Sequence, residues 1–502
     1  MNQAYQSILA AGVEKKYRML EEEIEKDIVR RIKTAGKITS MADWQIQRYM
    51  VLGHSTEDVE KIVRQTVGND WVDTFKLYDE VIEQEYVRSK AIYEQVNAHF
   101  VPYEQNYELQ QITNALIQQS NDELFNISKS LGFMADMGNG RKVFTPLSEI
   151  YNGYLDNAIT MMASGAFDYN TLIRRVVGEM TASGLRTVDY ASGHSNRVDV
   201  AARRALLTGM GQLTGHISDM NGQLLGTDKF EVDWHHGARP DHAKWQGRVW
   251  TRRQLVDVCG LGSGSGLLGW NCHHTYYPFI EGISVRNYSD QWLEEMDRKE
   301  AQKIPYRGKE YNTYEATQKQ RQMETAMRAQ REKVQLLKDG GADPDDILNA
   351  RCKYQAMLDE YKEFSKKFNL PEQRERIYAD LRGRVAPSQR TYKAYQTVEE
   401  NRKKVEIPAA KIDSFFLKPG AKHAQEFFDV GYSEKDSKRL HRDILSQYNE
   451  GKAVDKKKLP DGAERFSIFM ELGIGDKQKT FRLVWQKDSE DAKPRLITGH
   501  RE

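Results

Sequence analysis

Apolar residues spaced three or four apart dominate the first part of this chain and restrict it to a helix-rich fold. Val13, Tyr17, Leu20, Ile24, Ile28 and Ile32 recur with Glu, Lys and Arg between them, which gives a helix one apolar face. Gly36 ends that helix. Thr39 or Ser40 caps a second one carrying Trp44, Ile46 and Met50. A third begins near Thr56, and a long helical pattern runs from Trp71 to about His99, closed by Pro102. Helices are expected to continue over 104–190, with a loop at Met137–Arg141 and a brief extended stretch near Thr187–Gly193, and Val198–Met220 is helical again. At 502 residues the chain is too long for one core. The most apolar stretch, Ala158–Phe167, is broken by Ser164 and Gly165 and falls short of the ~20 residues that span a bilayer. Met1–Tyr5 has no basic start followed by an apolar block, so neither a membrane association nor a secretory signal is expected. Three cysteines, Cys259, Cys272 and Cys352, fit a protein made in a reducing cytosol without a disulfide framework.

From Lys229 to Ser284 the pattern turns β-like and glycine-rich. Two runs there, Trp234–Gly247 and Gly269–Phe279, hold five of the 12 histidines together with Cys272. Imidazole and thiolate are zinc ligands, so one reading is a Zn²⁺ held by His236 or His242 with Cys272 and His274. The spacing is not that of a Cys-x-x-Cys knuckle. A small module crosslinked by hydrogen bonds and a hydrolytic or transferase site are the other readings. Gly260–Gly266 lacks the Lys-Ser/Thr and the strand-loop-helix setting of a phosphate loop, which argues against nucleotide binding. From Tyr311 a long charged helix runs to Gly340-Gly341, and Asp343-Pro344 starts another, predicting an antiparallel hairpin.

Ser388–Lys404 is polar and basic and reads as a linker. Beyond it, Lys411–Leu417 is short and mixed, Ala421–Val430 and Glu434–Asn449 are expected helices, and Phe466–Leu472, Phe481–Trp485 and Arg495–Thr498 expected strands. Asn401–Glu502 carries 22 Lys and Arg against 17 Asp and Glu, a net +5, while the rest of the chain is net −4; a basic C-terminal part is compatible with a nucleic-acid substrate. The expected fold class is multidomain and mainly α, with a central Gly/His-rich α+β module and a C-terminal α+β domain. The expected boundaries are 1–225 for an N-terminal helical body, 226–290 for the central module, 291–386 for the helical hairpin, 387–404 for the linker and 405–502 for the C-terminal domain.

The string His-x-Gly-Ala-Arg-Pro-x-His-Ala-x-Trp-Gln-Gly from His235, followed by Gly-Trp-Asn-Cys-x-His-x-x-x-Pro-Phe from Gly269, resembles the signature of the phage minor capsid 2 family, related to Mu F-like head morphogenesis proteins. Asp43-Trp44-Gln45-Ile46 within Lys16–Gly53, Arg203–Gly209 and Tyr311–Gln318 resemble other parts of the same family, so the likeness covers about 10–385. It implies a low-copy virion component near the portal and head interior, assembled in the cytoplasm of a host bacterium. Its implied partners are the portal protein, major capsid or scaffold proteins and phage DNA. The Arg203-Arg204 pair is read either as touching a phosphate or a portal subunit, or as pairing with helix acids.

The last segment, Leu417-Lys418-Pro419-Gly420-Ala421-Lys422-His423 through Tyr432 with Trp485 and Lys493–Gly499, resembles the small nuclease toxin domains of the barnase, EndoU, colicin and RelE-like superfamily. That likeness implies metal-independent cleavage of RNA and an immunity protein as partner. His423 would be the general acid or base, as histidine is the residue type that titrates near neutrality. Lys418, Lys422 and Arg495 would hold the phosphate, and Thr498 would donate a hydrogen bond to it. The alternatives are an inert binding module at the C-terminus, a nuclease toxin enzyme delivered with phage DNA, and a zinc-dependent hydrolase built on the central module.

Overall fold

The computed structural model describes residues 3–38, 40–68, 70–136, 140–189, 192–378, 380 and 382–502. Thr39 and most of the loop expected at Met137–Arg141 lie outside them. The chain divides into two compact units, one of residues 1–342 with 357–383 and one of 343–356 with 384–502.

The first unit is mainly helical. Helices α1 (Gln3–Ala35), α2 (Met41–Leu52), α3 (Ser55–Val67) and α4 (Asp70–Val81) open it. Val13, Tyr17, Leu20, Ile24, Ile28 and Ile32 of α1 are all buried, as their spacing requires. The single helix expected from Trp71 to His99 is broken: α4 passes into a π turn over Ile82–Tyr86 and a 3-10 turn over Val87–Ser89 before α5 (Lys90–Gln95). Asn97, at φ 53°, lies just beyond it. Next come α6 (Tyr107–Lys129), β1 (Leu131–Asp136), β2 (Lys142–Pro146), the one-turn α7 (Leu147–Glu149), α8 (Asp156–Ala163), α9 (Tyr169–Ser183), β3 (Arg186–Val188), β4 (Ser195–Arg197) and α10 (Val198–Leu224). The strands form an antiparallel sheet in the order β2-β1-β3-β4. The sequence pattern predicts helices across most of this region. Leu131-Gly132-Phe133-Met134-Ala135 is a short apolar run without alternation, and periodicity alone does not separate such a strand from a buried helical turn.

The central module adds β5 (Lys229–Val232), α11 (Pro240–Ala243), β6 (Val249–Thr251), α12 (Arg252–Asp257) and β7 (Tyr276–Pro278), followed by α13 (Asp290–Ala301) and the hairpin of β8 (Ile304–Tyr306) and β9 (Lys309–Tyr311). Then come α14 (Thr313–Asp339), with an Asn312–Glu315 capping box, α15 (Pro344–Lys367), which the two units share, and the short α16 (Arg374–Ile377). The expected antiparallel pairing is seen where Gln320 Nε2 donates to Ser365 Oγ (3.0 Å) and Tyr361 Oη donates to Glu324 Oε1 (3.1 Å).

One buried acid in this unit has a measurable consequence. Both carboxylate oxygens of Glu25 are buried without a hydrogen-bond partner. Burial, with Glu21 and Glu332 nearby, holds its carboxyl well above the ordinary range. The folded state therefore binds this proton more tightly than the unfolded chain does. The resulting stability is full below the unfolded value of 4.5 and is lost as pH rises towards the raised one. Glu25→Gln is expected to raise the melting temperature at pH 8, with a gain that shrinks on acidification towards pH 5. A gain unchanged between pH 8 and pH 5 in calorimetry would contradict this.

The second unit contains α17 (Gln389–Lys404), the one-turn α18 (Ala409–Lys411), α19 (Ala424–Asp429), α20 (Ser437–Gln447), β10 (Val454–Lys458), β11 (Glu464–Leu472), β12 (Lys479–Lys487) and β13 (Arg495–Arg501). The segment read as a linker is the helix α17. Ser388 caps it, accepting from Thr391 N at 3.1 Å. Its polar composition concealed it, because Val398 and Asn401 are its only buried residues. Val398 enters the apolar core. Asn401 Nδ2 donates to the Leu445 and Tyr448 carbonyls at 2.8 and 2.9 Å, satisfying the end of α20.

The sheet is antiparallel in the order β10-β11-β12-β13. Its register pairs Phe466 with Trp485, Ile468 with Leu483 and Met470 with Phe481. These residues alternate onto one buried face, against Phe416, Phe427, Leu440 and Ile444. The three expected strands are present. β10 was not anticipated, because Val454-Asp455-Lys456-Lys457-Lys458 is exposed throughout and has no alternation to read. Lysines on an edge strand discourage pairing with another chain.

Candidate functional site

In the central module, β5 pairs with β6 and β7, aligning Phe230 with Trp250 and Val232 with Tyr276. Phe230, Val232, Trp245, Leu255, Leu267 and Tyr276 form a small core there. Pro240 starts α11 and places His242 two residues further on. The glycine-rich loop folds tightly on itself. A Cβ at Gly266 would lie 2.1 Å from the Gly260 carbonyl oxygen, so this position admits only glycine. The loop brings the Ser265 carbonyl to His242 Nε2, 2.9 Å away.

His242, Cys272 and His274 converge, with one ligand atom from each lying within 4.8 Å of the others, and all three are buried. His242 Nδ1 and His274 Nδ1 are 3.3 Å apart, and Cys272 Sγ is 3.7 Å from His274 Nδ1. Gln246 Oε1 accepts from the His235 backbone N–H at 2.9 Å, which identifies it as the amide oxygen. His274 Nε2 lies 3.0 Å from that oxygen and is therefore its protonated nitrogen. The lone pair of His274 thus sits on Nδ1 and faces His242 and Cys272. Arg239 lies against His242 Nε2 and donates to the Ser265 carbonyl at 2.6 Å. Asp233 accepts from Thr275 N and Oγ1 at 2.8 and 2.9 Å, anchoring the chain beside His274. Burial pushes the Cys272 thiol up to about 11. Burial, followed by the neighbouring histidines, holds His274 well below the ordinary histidine range.

His236 does not join this group. Its side chain is 62% exposed, and Nδ1 lies 3.0 Å from Glu300 Oε1, a hydrogen bond that raises its pKa. Of the four expected ligands the structure brings three together. Gln246, Ser265 and Arg239 were not recognised as supports, although Gln246 and Arg239 stand inside the His-rich run.

A second cluster lies in the C-terminal unit. His423 immediately precedes α19, and its Nδ1 is 2.8 Å from Glu426 Oε1, one helical turn on. Glu426 also accepts from the Arg501 backbone N–H. Burial raises the Glu426 carboxyl, but the bonds from His423 and Arg501 outweigh it and hold the group below its ordinary value. The His500 ring lies 5.8 Å from that of His423, tilted by 35°. His500 and Glu426 had no part in the sequence reading. They come from the end of β13 and from within α19, and only folding joins them.

Lys418 and Lys422 are exposed. Thr498 pairs with Val484 and His500 with Arg482, so Thr498 shares a face with His500, ~7 Å away along β13. Arg495 pairs with Gln486 and lies near Asp488 (3.6 Å). Five residues of strand put it ~16 Å from His500. The structure therefore separates Arg495 from the histidines. Arg203 lies 4.0 Å from Glu14, consistent with the reading in which it pairs with helix acids.

The helical body, its central His/Cys module and the C-terminal α+β unit describe a multidomain, mainly α protein with an appended α+β domain. Residues 1–365 match the family described as phage minor capsid protein 2, and the chain belongs to that family, whose members are phage virion proteins. The match ends somewhat before the expected limit near 385. Residues 399–501 match a domain family of unknown function, DUF6883. Comparison with curated proteins and with solved structures returns no match. Among the described residues no helix is long and apolar enough to cross a membrane.

Proposed function

We propose that this chain is a low-copy component of the phage head, seated at the portal during head morphogenesis, and that its C-terminal unit is an RNA-cleaving effector. The observation that carries the effector reading is the group of His423, Glu426 and His500. Glu426 engages His423 Nδ1, which keeps the proton on that nitrogen and leaves Nε2 as the basic atom. His500 supplies a second imidazole beside it. Two such groups suit transesterification of RNA. His423 Nε2 takes the proton of a ribose 2′-hydroxyl, and the 2′-oxygen bonds to phosphorus. The bond from phosphorus to the 5′-oxygen breaks, and protonated His500 gives that oxygen its proton. The products are a 2′,3′-cyclic phosphate and a free 5′-hydroxyl. Lys422, next to His423, and Lys418 supply positive charge for the phosphate, and Thr498 supplies a hydrogen-bond donor on the His500 face. An immunity protein covering this cluster would keep the producing cell intact.

The head assignment rests on the family match through the helical body. Quantitative mass spectrometry of purified virions, with crosslinking, is expected to find the chain in low copy and linked to portal subunits. A chain present in lysate but absent from heads would overturn the virion role. Incubation of the full-length protein with total RNA in excess chelator tests the effector reading; RNA left intact returns the C-terminal unit to an inert binding module.

A further inference from the structure

We propose that His242, Cys272 and His274 form a zinc site, binding the ion through the two Nδ1 atoms and the Cys272 thiolate. This inference concerns the central module and does not depend on the function of the C-terminal unit.

The distances carry it. Zinc bonds of ~2.0–2.1 Å to nitrogen and ~2.3 Å to sulfur, at tetrahedral angles, place two nitrogens about 3.3 Å apart and nitrogen and sulfur about 3.6 Å apart. The structure has His242 Nδ1 and His274 Nδ1 at 3.3 Å and Cys272 Sγ and His274 Nδ1 at 3.7 Å. These match two edges of a zinc tetrahedron, and one ligand atom of each of the three residues lies within 4.8 Å of the others. The protonation pattern of His274 agrees. Gln246 takes the His274 Nε2 proton, and the Ser265 carbonyl stands at His242 Nε2. His274 thus has an acceptor on the nitrogen turned away from the cluster, and His242 Nε2 lies against both the Ser265 carbonyl and Arg239. Such an acceptor is what orients a metal-bound histidine and strengthens its donor atom.

The three donors come from two places in the chain, α11 and the segment leading into β7. An ion here links them, and through Ser265 it also steadies the glycine-rich loop. That is the task a metal performs in a module whose apolar core is small. No other His, Cys, Asp or Glu among the described residues joins the group, so water or an external ligand takes the fourth position. Binding deprotonates the Cys272 thiol: the sulfur's electron pair goes to the zinc, and the proton goes to solvent. The ion stays Zn²⁺ and no redox change occurs.

The test uses the full-length protein, purified under reducing conditions without chelator and then equilibrated with zinc and desalted. Elemental analysis is expected to give about one zinc per chain. Cobalt substitution should produce a thiolate-to-cobalt charge-transfer band. Cys272→Ser is expected to lose that band, and His274→Gln should retain less than about a tenth of the metal. His236→Ala, whose side chain lies outside the cluster, should retain zinc as the wild type does. Wild-type protein carrying less than about half an equivalent after equilibration, with no cobalt band, overturns the proposal and leaves a hydrogen-bonded cluster. Equal zinc loss from His236→Ala also overturns the ligand set. If the cluster variants do not fold, the wild-type stoichiometry and cobalt spectrum still decide the matter.

Discussion

Replacing His423 with alanine is expected to lower RNA cleavage by the full-length chain by ~10²–10⁴, the usual loss when a general acid or base is removed. His500→Ala should fall in the same range. The double variant should be little worse than the poorer single one, because the two groups serve one proton-transfer cycle. Glu426→Gln should have a smaller effect and should change the pH profile, since Glu426 acts through His423 by fixing which nitrogen carries the proton. Lys422→Ala and Thr498→Ala should also cost less, each removing one charge or hydrogen bond to phosphate. Arg495→Ala should stay near wild type, because its position on β13 is distant from His500. The assay is cleavage of total RNA in excess chelator, alongside growth of a bacterial host on induction. Cleavage that both histidine variants retain in full would remove this pair from the chemistry.

Trp485→Ala should destabilise the C-terminal unit by ~3–5 kcal/mol, the cost of emptying a large aromatic site in a packed core. Trp485 is fully buried, opposite Phe466 on β11, with its ring 4.8 Å from that of Tyr448. Domains of this size are stable by only ~5–15 kcal/mol, so the loss is a large part of the total. Urea titration followed by circular dichroism should show a transition moved to much lower denaturant. RNA cleavage should fall with it, through unfolding rather than through the site. An unchanged midpoint would mean that this strand pairing is not the core of the unit.

Regular elements were legible in the sequence where burial imposes a period. Val13 to Ile32 repeat every three or four residues and all are buried in α1. Phe466, Ile468, Met470 and Leu472 alternate and do form one face of a strand. The signals failed where the period was short or absent. The β1–β2 hairpin was hidden because a run of five apolar residues fits strand and helix alike. Helix α17 was hidden because most of its surface is solvated. It is held by one apolar side chain and by an asparagine whose partners lie more than forty residues away.

The same division holds for the sites. Local sequence determined which residue types stand together: the His/Cys runs of the central module, the glycines that close its loop, and a histidine entering a short helix beside lysines. Tertiary structure alone decided which of them meet. It turned His236 outward to Glu300 while gathering His242, Cys272 and His274, and it brought His500 from the last strand to His423. The reason is physical. A helix or strand is selected by the burial of its own neighbours in sequence, whereas a site requires donor atoms from distant segments to converge within a few ångströms, and the packing of the elements that carry them decides that convergence.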